Sequence, residues 1–229
     1  MNITILSLVI PSLISNSPTF TNNQLSLINL KIKNFTPIIF YNPKLLLLEG
    51  SQFFKGLGSI IYKENDDYNH PVFDKTFTNE NEIKNEIGSI NHKSISIINC
   101  MFKQISVNGN IILIKDKNVS LYMTKNTFYQ CSSQNGVIRL ERCRCLTMTH
   151  TCSYKSKCES QISFFYYDCV KDDFSINIYN TIVDSQSVNN DNVFNFFAKD
   201  GSQFFRCINM TNAEFSGIQF DAPRCFSFG

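Results

Sequence analysis

The part of the chain between Ile95 and Phe220 repeats itself loosely, with a period of about 26 residues. Each unit contains an alternating apolar strand, a polar and aromatic corner, a loop and a second apolar strand. The corner of each unit carries an anchor residue, and the successive anchors are Phe102, Phe128, Tyr154, Ile182 and Met210. A period in this range is typical of stacked repeats, so it constrains the architecture more firmly than local propensity does.

The segments before the anchors alternate between apolar and polar residues, as in 119–123 (V-S-L-Y-M) and 174–178 (F-S-I-N-I). A period of two predicts β-strands with one buried face. A second apolar strand follows each anchor, at 111–114, 137–140, 162–165, 193–196 and 217–220. Helical repeats would need apolar residues at three- and four-residue spacing, which do not recur here.

Small polar or thiol side chains recur beside the anchors. Two residues before an anchor lie Cys100, Asn126, Cys152 and Asn180, and three or four residues after one lie Ile105, Cys131 and Cys158. Equivalent residues of a stacked coil lie about 4.8 Å apart, so we expect ladders of Asn and Cys. These ladders would lie at bends, where Asn tolerates left-handed backbone.

A sandwich is the competing architecture, because it also has short strands between frequent turns. The single period and the scarcity of hairpin sequences favour a coil of parallel strands instead. The two clear Asn-Gly hairpin candidates are Asn108-Gly109 and Asn135-Gly136. Their near-equivalent places in two units indicate a recurring corner.

The stretch 126–140 (N-T-F-Y-Q-C-S-S-Q-N-G-V-I-R-L) resembles one rung of the right-handed parallel β-helix of pectate-lyase-like and polymorphic-outer-membrane-protein-like repeats. Residues that match the family pattern are Phe128, Cys131, Gly136 and Ile138; the stretch 99–114 matches more loosely. The resemblance covers residues 90–221, roughly, and implies a fold and a secreted or cell-surface location but no activity. We predict an all-β, right-handed parallel β-helix, a solenoid with coils of about 26 residues and an irregular N-terminal part.

Composition divides the chain into four segments. Residues 1–17 hold a short apolar run that closes on small residues, which predicts a signal peptide; a first β-strand or cap is the alternative, since no Lys or Arg follows Met1. Residues 18–62 are predicted to form N-terminal β-helix rungs. Residues 63–93 are polar and mixed in charge, and we predict that they form a loop or an insertion. Residues 94–229 contain the β-helix repeats.

Charge and composition limit the partners. A net charge of +2 with 17% charged residues gives no electrostatic reason to bind nucleic acid. No run of about 18 apolar residues is present, so we expect no transmembrane segment in this chain. We predict no cofactor, an unknown protein or glycan as partner, and a secreted or cell-surface location.

The nine cysteines invite either a zinc site or disulfides. Their spacings lack the paired knuckles of a tetrahedral zinc site, and His150 is isolated, so we predict no metal site. Cys131 and Cys158 lie about one coil apart, as do Cys143 and Cys169. A coil spacing of about 4.8 Å is within the reach of a disulfide. We therefore expect up to two rung-to-rung disulfides in an exported protein; buried free thiols are the alternative.

The family that the chain resembles includes enzymes. Polygalacturonases carry the motifs N-T-D, D-D, G-H-G and R-I-K in that order. Here Ile182 follows Asn180-Thr181, Asp172-Asp173 comes too early, and the last two motifs are absent. We therefore predict no catalytic residues and interpret Asp172-Asp173 as a turn.

Two surface features complete the inventory. A mixed-charge patch is formed by Arg139, Glu141, Arg142 and Arg144; we interpret it as ordinary solvated surface, with an acidic-glycan site as the alternative. Three sequons predict glycosylation of an exported chain, at Asn34, Asn118 and Asn209.

Together these observations predict a non-enzymatic module, secreted or displayed on a cell surface, for adhesion or binding of a protein or glycan. One alternative is a degenerate polysaccharide lyase or hydrolase of the pectin-lyase-like fold. Another is a fragment of a larger surface protein.

Overall fold

The structure, a computed structural model, describes residues 2–5, 8–10, 20–21, 24–36, 38–41, 43, 45–64, 95–116, 119–158, 165–187, 196–199, 202–212, 218–221 and 224–228. The described secondary structure consists of strands β1 to β27, and no described residue is helical. The strands form sheets of 15, 8 and 4 strands, joined by parallel pairing. The predicted all-β class with parallel strands is confirmed.

The 15-stranded sheet, here called the large sheet, has two arms. The first arm contains β1 (Asn2–Ile5), β4 (Gln24–Ile28), β7 (Leu45–Glu49), β10 (Ile95–Ile98), β14 (Ser120–Thr124), β24 (Ser202–Arg206) and β27 (Arg224–Phe228). The second arm contains β3 (Phe20–Thr21), β6 (Phe40–Tyr41), β9 (Ile61–Glu64), β13 (Ile112–Lys115), β23 (Phe196–Lys199) and β26 (Ile218–Asp221). The arms are joined by β17 (Ile138–Thr149) and β20 (Phe165–Ile178), which are long enough to belong to both.

The other two sheets lie between the arms along the chain. The eight-stranded sheet contains β2 (Leu8–Ile10), β5 (Leu30–Lys33), β8 (Gln52–Phe54), β11 (Met101–Lys103), β15 (Thr127–Tyr129), β18 (Cys152–Tyr154), β21 (Thr181–Val183) and β25 (Asn209–Thr211). The four-stranded sheet contains β12 (Ser106–Val107), β16 (Ser132–Ser133), β19 (Lys157–Cys158) and β22 (Gln186–Ser187).

The chain visits these sheets in the same order several times, as in β14, β15, β16 and then β17. We call one such circuit a pass. Hydrogen-bonded residues on adjacent passes are separated by 21 residues at Leu30 and Ser51, 26 at Cys100 and Asn126, and 29 at Thr151 and Asn180. The passes therefore differ in length around the predicted period.

Alternation along many of the described strands places one side of them in the core. In β7, Leu46 and Leu48 are buried, and they lie in register with the buried Ile95 and Ile97 of β10. Inward side chains of this kind from all three sheets form one continuous apolar cluster. The period of two in the sequence is thus the period of burial in these strands. In β17 and β20 both sides are buried over 145–149 and 175–177, and Cys145, Ile176 and Phe204 form a second, smaller cluster.

Stacked rings fill the core behind the eight-stranded sheet. Phe53, Phe102 and Phe128 lie in register, with successive ring centroids 5.4 and 4.6 Å apart. The next position in this ladder is Ser153 and not the predicted anchor Tyr154, which is half-exposed. The prediction for Tyr154 is wrong because this pass is one residue shorter than the preceding one. The predicted anchors Ile182 and Met210 do lie in register.

The two corners that flank the eight-stranded sheet use left-handed backbone, with φ between 49° and 58°. Before the sheet these residues are Asn29, Gly50, Asn99, Lys125, His150, Tyr179 and Cys207. After it they are Asn34, Lys55, Gln104, Gln130, Lys155, Asp184 and Asn212. Two such corners in each pass turn the chain from one sheet into the next.

The recurring Asn residues lie one position beyond the left-handed residue and face inward, so the expectation that they occupy the left-handed conformation is wrong. Asn126 is 1% exposed, and its Oδ1 accepts the N–H of Cys100 at 2.9 Å. Asn180 accepts the N–H of Thr151 at 3.0 Å in the same way. Thr151, and not Cys152, therefore occupies the equivalent place in the ladder.

The predicted Asn-Gly corners stack on adjacent passes. The N–H of Asn135 donates to the carbonyl of Gly109 at 3.1 Å, and the side-chain amide of Asn110 donates to the carbonyl of Gly136 at 2.9 Å. Both segments join a strand of the four-stranded sheet to the second arm. The interpretation of these dipeptides as a recurring corner is confirmed.

The N-terminal strands belong to the same sheets, because β5 pairs with β8 and β8 pairs with β11. Within the predicted signal peptide 1–17, β1 and β2 pair with β4 and β5, and the remaining residues lie outside the described part. The predicted insertion 63–93 also lies outside it, apart from residues 63 and 64. Peptide processing and the insertion stay predictions.

Candidate functional site: a lysine and aromatic strip

The outward side of the eight-stranded sheet carries a strip of lysine and aromatic side chains. The strip consists of Lys31, Lys33, Phe54, Lys55, Lys103, Tyr129, Tyr154 and Lys155. Its central ladder runs through consecutive register pairs from Lys33 to Tyr154. Adjacent strands lie about 4.8 Å apart, so the five strands β5, β8, β11, β15 and β18 extend the strip over about 19 Å.

Three of the five ammonium groups of the strip lie against its rings. Lys31 Nζ lies 5.7 Å from the ring centroid of Phe54, and Lys103 Nζ lies 5.2 Å from that of Tyr129. Lys155 Nζ lies 5.0 Å from the ring centroid of Tyr154. Distances of this size are typical of cation–π contacts, which fix long lysine side chains that would otherwise move freely.

The two tyrosines of the strip stack on each other. The ring centroids of Tyr129 and Tyr154 are 5.6 Å apart, with an interplanar angle of 29°. A side-chain hydrogen bond with Tyr154 is the main cause that raises the pKa of Lys155 above its usual value. The ammonium of Lys155 therefore stays charged throughout the physiological pH range.

An open groove of about 480 Å³ lies at the end of the strip formed by the earlier passes. It is lined by Lys31, Lys33, Asn34, Phe54, Lys55, Lys103 and Gln104. Four of these seven side chains are cationic, and the lining contains no acidic side chain. The groove therefore offers a concentrated positive charge that is open to solvent.

Within the described part of the chain, the strip has few acidic neighbours, and the one acidic side chain that acts on its lysines is Asp184, beside Lys155. Strands β5, β8, β11, β15 and β18 and the left-handed residues that follow them contain no Asp or Glu. The first acidic corner residue is Asp184, which follows β21, one pass beyond Lys155. Among the described residues, no strip lysine forms a salt bridge.

The predicted mixed-charge patch differs from the strip in this respect. Glu141 pairs with Arg139, and its other carboxylate oxygen lies 3.4 Å from Lys115 Nζ. The guanidinium of Arg139 also lies 4.8 Å from the ring centroid of Tyr166. Arg142 is exposed in a left-handed conformation. Within the patch, the acidic Glu141 is thus paired with Arg139 and, outside it, with Lys115.

The pair Asp172-Asp173 lies within β20, so the interpretation of these residues as a turn between strands is wrong. The register of β17 and β20 shifts there, from Cys143 opposite Cys169 to Cys145 opposite Phe174. Such a shift is a bulge, which leaves extra residues of one strand without a paired partner on the other.

The strand register excludes the predicted pairing of Cys131 with Cys158. Cys158 pairs with Ser133, while the N–H of Cys131 donates to the hydroxyl of Ser156 at 3.2 Å. The two cysteines are out of register by two residues, which adds about 6.6 Å along the chain to the strand spacing. That separation is beyond the Cα range of a disulfide. Cys131 carries a free thiol that donates to the carbonyl of Phe102 at 3.3 Å.

The other predicted pair, Cys143 and Cys169, lies directly in register between β17 and β20. The Sγ atom of Cys143 lies 3.4 Å from the carbonyl oxygen of Ile114. The side chain of Cys169 is not among those that the structure describes. A disulfide at this place stays a prediction.

Buried thiols of this protein are poor nucleophiles. Burial raises the pKa of Cys100 to about 11 and that of Cys131 to about 12. Burial also raises the pKa of the half-buried Cys152. Because the thiolate is the reactive form, these three side chains are inert at neutral pH. Cys207, by contrast, is exposed.

Of the three predicted glycosylation sites, Asn34 and Asn209 are exposed, and Asn118 lies outside the described residues. Asn34 lines the groove of the strip, so a glycan there would stand beside its lysines. Glycosylation at all three residues stays a prediction.

Within the described part of the chain, no three His, Cys, Asp or Glu side chains come together as ligands for a metal ion. The same residues include no helix with the length and apolar character needed to cross a membrane. Comparisons of the chain with protein-family models, curated proteins and solved structures found no match.

The strip was not predicted from the sequence. Its lysines come from β5, β11 and two corners that are far apart in the chain, and only the strand register brings them together. The alternation K-x-K at Lys31 and Lys33 indicates an outward basic face for one strand, but not for its neighbours.

Proposed function

We propose that this chain is a non-enzymatic module, secreted or displayed at a cell surface, that binds an extended glycan or protein along its eight-stranded sheet. The lysine and aromatic strip carries this proposal. It is a continuous, solvent-accessible surface with five cations, and three of them, Lys31, Lys103 and Lys155, lie against rings. Side chains that are fixed before binding lose less conformational entropy when a ligand binds.

We further propose that the fold is a right-handed parallel β-helix. Parallel pairing, the constant order of sheets in each pass and the two left-handed corners support this identification. The handedness is supported by the rule that connections between parallel strands of one sheet are right-handed in nearly all proteins. A β-helix presents the same sheet face at every pass, which suits the binding of a long ligand.

A depolymerisation assay on acidic and neutral polysaccharides tests the enzymatic alternative. Product formation that is lost in an Asp172→Asn/Asp173→Asn variant would replace the binding proposal with a degenerate lyase or hydrolase.

The binding role is tested on glycan and protein arrays with two variants of equal net charge. Lys55→Gln/Lys103→Gln removes two strip cations, and Lys125→Gln/Arg142→Gln removes two exposed cations elsewhere. We expect the unmodified chain and the second variant to bind the same array features, and the strip variant to lose them. Binding that survives in the strip variant would contradict the proposed site.

A further inference from the structure

We infer that the ligand of the strip is a linear sulfated polysaccharide, held by ionic contacts between its sulfate esters and the strip lysines. This inference rests on the proposed function, because it names the ligand class of the same surface. Three observations support it: the distribution of charge along the strip, the use of lysine as the cation, and the arrangement of the rings.

The distribution of charge selects a polyanion. The five cations, Lys31, Lys33, Lys55, Lys103 and Lys155, extend across five strands, and no acidic residue interrupts them. A single anion would meet only a part of this surface, whereas a chain with anions along its length meets all of it. The net charge of the whole protein is only +2, so the positive field is local to the strip.

The strip uses lysine exclusively as its cation. Arginine presents a planar fork that matches carboxylate and phosphate groups alike in a bidentate manner, whereas the lysine ammonium acts as a point charge without this geometric demand. Arginine accounts for only 5 of the 21 Lys and Arg residues of the chain, so the strip follows the overall preference for lysine. The strip therefore selects its ligand by density of negative charge, and a sulfated polysaccharide carries several fully ionised sulfate esters per repeat where a polyuronate carries one carboxylate per sugar.

The rings separate a sulfated glycan from a nucleic acid. Single-stranded nucleic acids bind proteins by stacking bases on open aromatic faces. Here Tyr129 and Tyr154 stack on each other, and Lys103 and Lys155 lie over their rings. The ring faces are thus occupied within the protein, which leaves the ammonium groups as the binding elements. The same arrangement disfavours a neutral glycan, which would need the ring faces for its own contacts.

The inference is tested by biosensor titration of the full chain produced without N-glycosylation, so that Asn34 carries no glycan. The probes are heparin, dextran sulfate, unsulfated dextran, polygalacturonate and oligothymidylate, all at the same ionic strength. We expect binding of heparin and dextran sulfate, none of dextran, and at least about tenfold weaker binding of polygalacturonate and oligothymidylate. Heparin affinity should fall as salt rises, because exposed ionic contacts are screened.

The variants of the preceding test serve again here. We expect Lys55→Gln/Lys103→Gln to lower heparin affinity about tenfold, as the loss of two exposed ionic contacts predicts, and to reduce its salt dependence. Lys125→Gln/Arg142→Gln should bind heparin as the unmodified chain does. Equal losses in the two variants would show non-specific attraction and overturn the inference.

The outcomes also distinguish this inference from the proposed function. Equal affinity for polygalacturonate and heparin would overturn the preference for sulfate esters but keep a glycan-binding strip. Tight binding of oligothymidylate would replace the glycan with a nucleic acid. An array ligand that is neutral or proteinaceous and depends on Lys55 and Lys103 would overturn the inference while supporting the proposed function. No strip-dependent ligand in either experiment would overturn both.

Discussion

The side chain of Asn126 adds two hydrogen bonds at a corner to the backbone bonds that join the same two passes there, such as Thr127 N–H to the carbonyl of Cys100 at 2.9 Å. Its Oδ1 accepts the N–H of Cys100 and its Nδ2 donates to the carbonyl of Ile97, both at 2.9 Å. Each buried polar group left without a partner costs about 1–3 kcal/mol. Inward amides of this kind therefore hold one pass to the next at each corner.

We expect Asn126→Ala to lower the free energy of unfolding by about 2–4 kcal/mol, because it leaves two buried backbone groups unpaired. Denaturant unfolding monitored by circular dichroism measures this change. The matched control is Gln130→Ala, whose side chain contacts Gln104 at the exposed surface at 3.2 Å. Its effect should stay below about 0.5 kcal/mol. Similar losses in the two variants would contradict the role of the inward amide.

Alkaline pH should destabilise the protein through Cys100 and Cys131. Their pKa values in the fold are about 11 and about 12, above the ordinary value of 9.0. Above pH 9 the unfolded chain loses these protons and the folded chain keeps them, so stability falls as pH rises through this window. Below it these thiols contribute no pH dependence.

The free energy of unfolding, measured at several pH values from about 8 to about 10.5, gives this pH dependence. Above pH 9, roughly, each buried thiol lowers that free energy by up to about 1.4 kcal/mol per pH unit. Cys131→Ala should reduce the slope, whereas Cys207→Ser, at an exposed position, should leave it unchanged. An unchanged slope in Cys131→Ala would show that this thiol is already ionised or accessible in the fold.

At the scale of the elements, a large buried side chain on one pass is matched by a glycine at the facing position of the adjacent pass. Phe35 and Gly56 lie on adjacent passes, and the ring of Phe35 occupies the space that a side chain at position 56 would fill. Phe35 is fully buried. A methyl group at Gly56 would clash with this ring. The ring of Phe35 therefore requires a glycine at position 56.

We expect Gly56→Ala to lower the free energy of unfolding by about 1–3 kcal/mol through overpacking. The smaller ring-free side chain in Phe35→Leu/Gly56→Ala should recover part of that loss. A double-mutant cycle on thermal or denaturant unfolding gives the coupling energy. Gly109→Ala is the control, since no heavy atom lies within 4 Å of its added methyl group. A coupling energy near zero would contradict the steric contact between residues 35 and 56.

The corners themselves carry strain, because non-glycine residues there adopt left-handed backbone. Lys125 is exposed with φ 56°, so Lys125→Gly relieves this strain and should raise the unfolding free energy by about 0.5 kcal/mol after the entropy of glycine is counted. Thr127→Gly, two residues later in β15, should lower it by about 1 kcal/mol. Unfolding midpoints of both variants test whether the backbone of Lys125 is strained. A lower midpoint for Lys125→Gly would contradict this strain.

The sequence pattern predicted the strands well and their register less well. Alternation identifies inward residues within one strand, and the rings of Phe102 and Phe128 fixed the register across one spacing. One shorter pass then displaced Tyr154 and Cys158 by one or two residues from the predicted ladder. Pattern alone does not show where a corner loses a residue, because corners accept different lengths without changing the strands.

At the scale of the whole molecule, the pairing of β7 with β10, β8 with β11 and β9 with β13 bridges residues 65–94. The sequence hides this continuity, since the period is lost in that segment. The same long-range register assembles the strip from Lys33, Phe54 and Lys103. A site built by register between distant segments leaves no local motif, which is why the sequence did not reveal it.

The register also predicts that residues 65–93 are dispensable for folding. Between β13 and β14 the chain crosses the same corner with only Asp116 to Val119, and Glu64 lies in register with Lys115. We expect replacement of 65–93 by Asp-Lys-Asn-Val to preserve the β-sheet circular dichroism spectrum and the melting temperature within a few degrees. The free energy of closing a loop depends only logarithmically on its length, so the shortening should cost little.

The design keeps Lys63, whose Nζ donates to the carbonyl of Pro43 at 2.8 Å and lies 3.4 Å from Asp116 of the next pass. Deletion of 65–93 without a linker is the control and should fail to fold, because β9 and β10 belong to different arms of the large sheet. A replacement variant that also fails would show that 65–93 contributes to the core. A replacement variant that folds and retains heparin binding would place both the fold and the strip in the paired strands alone.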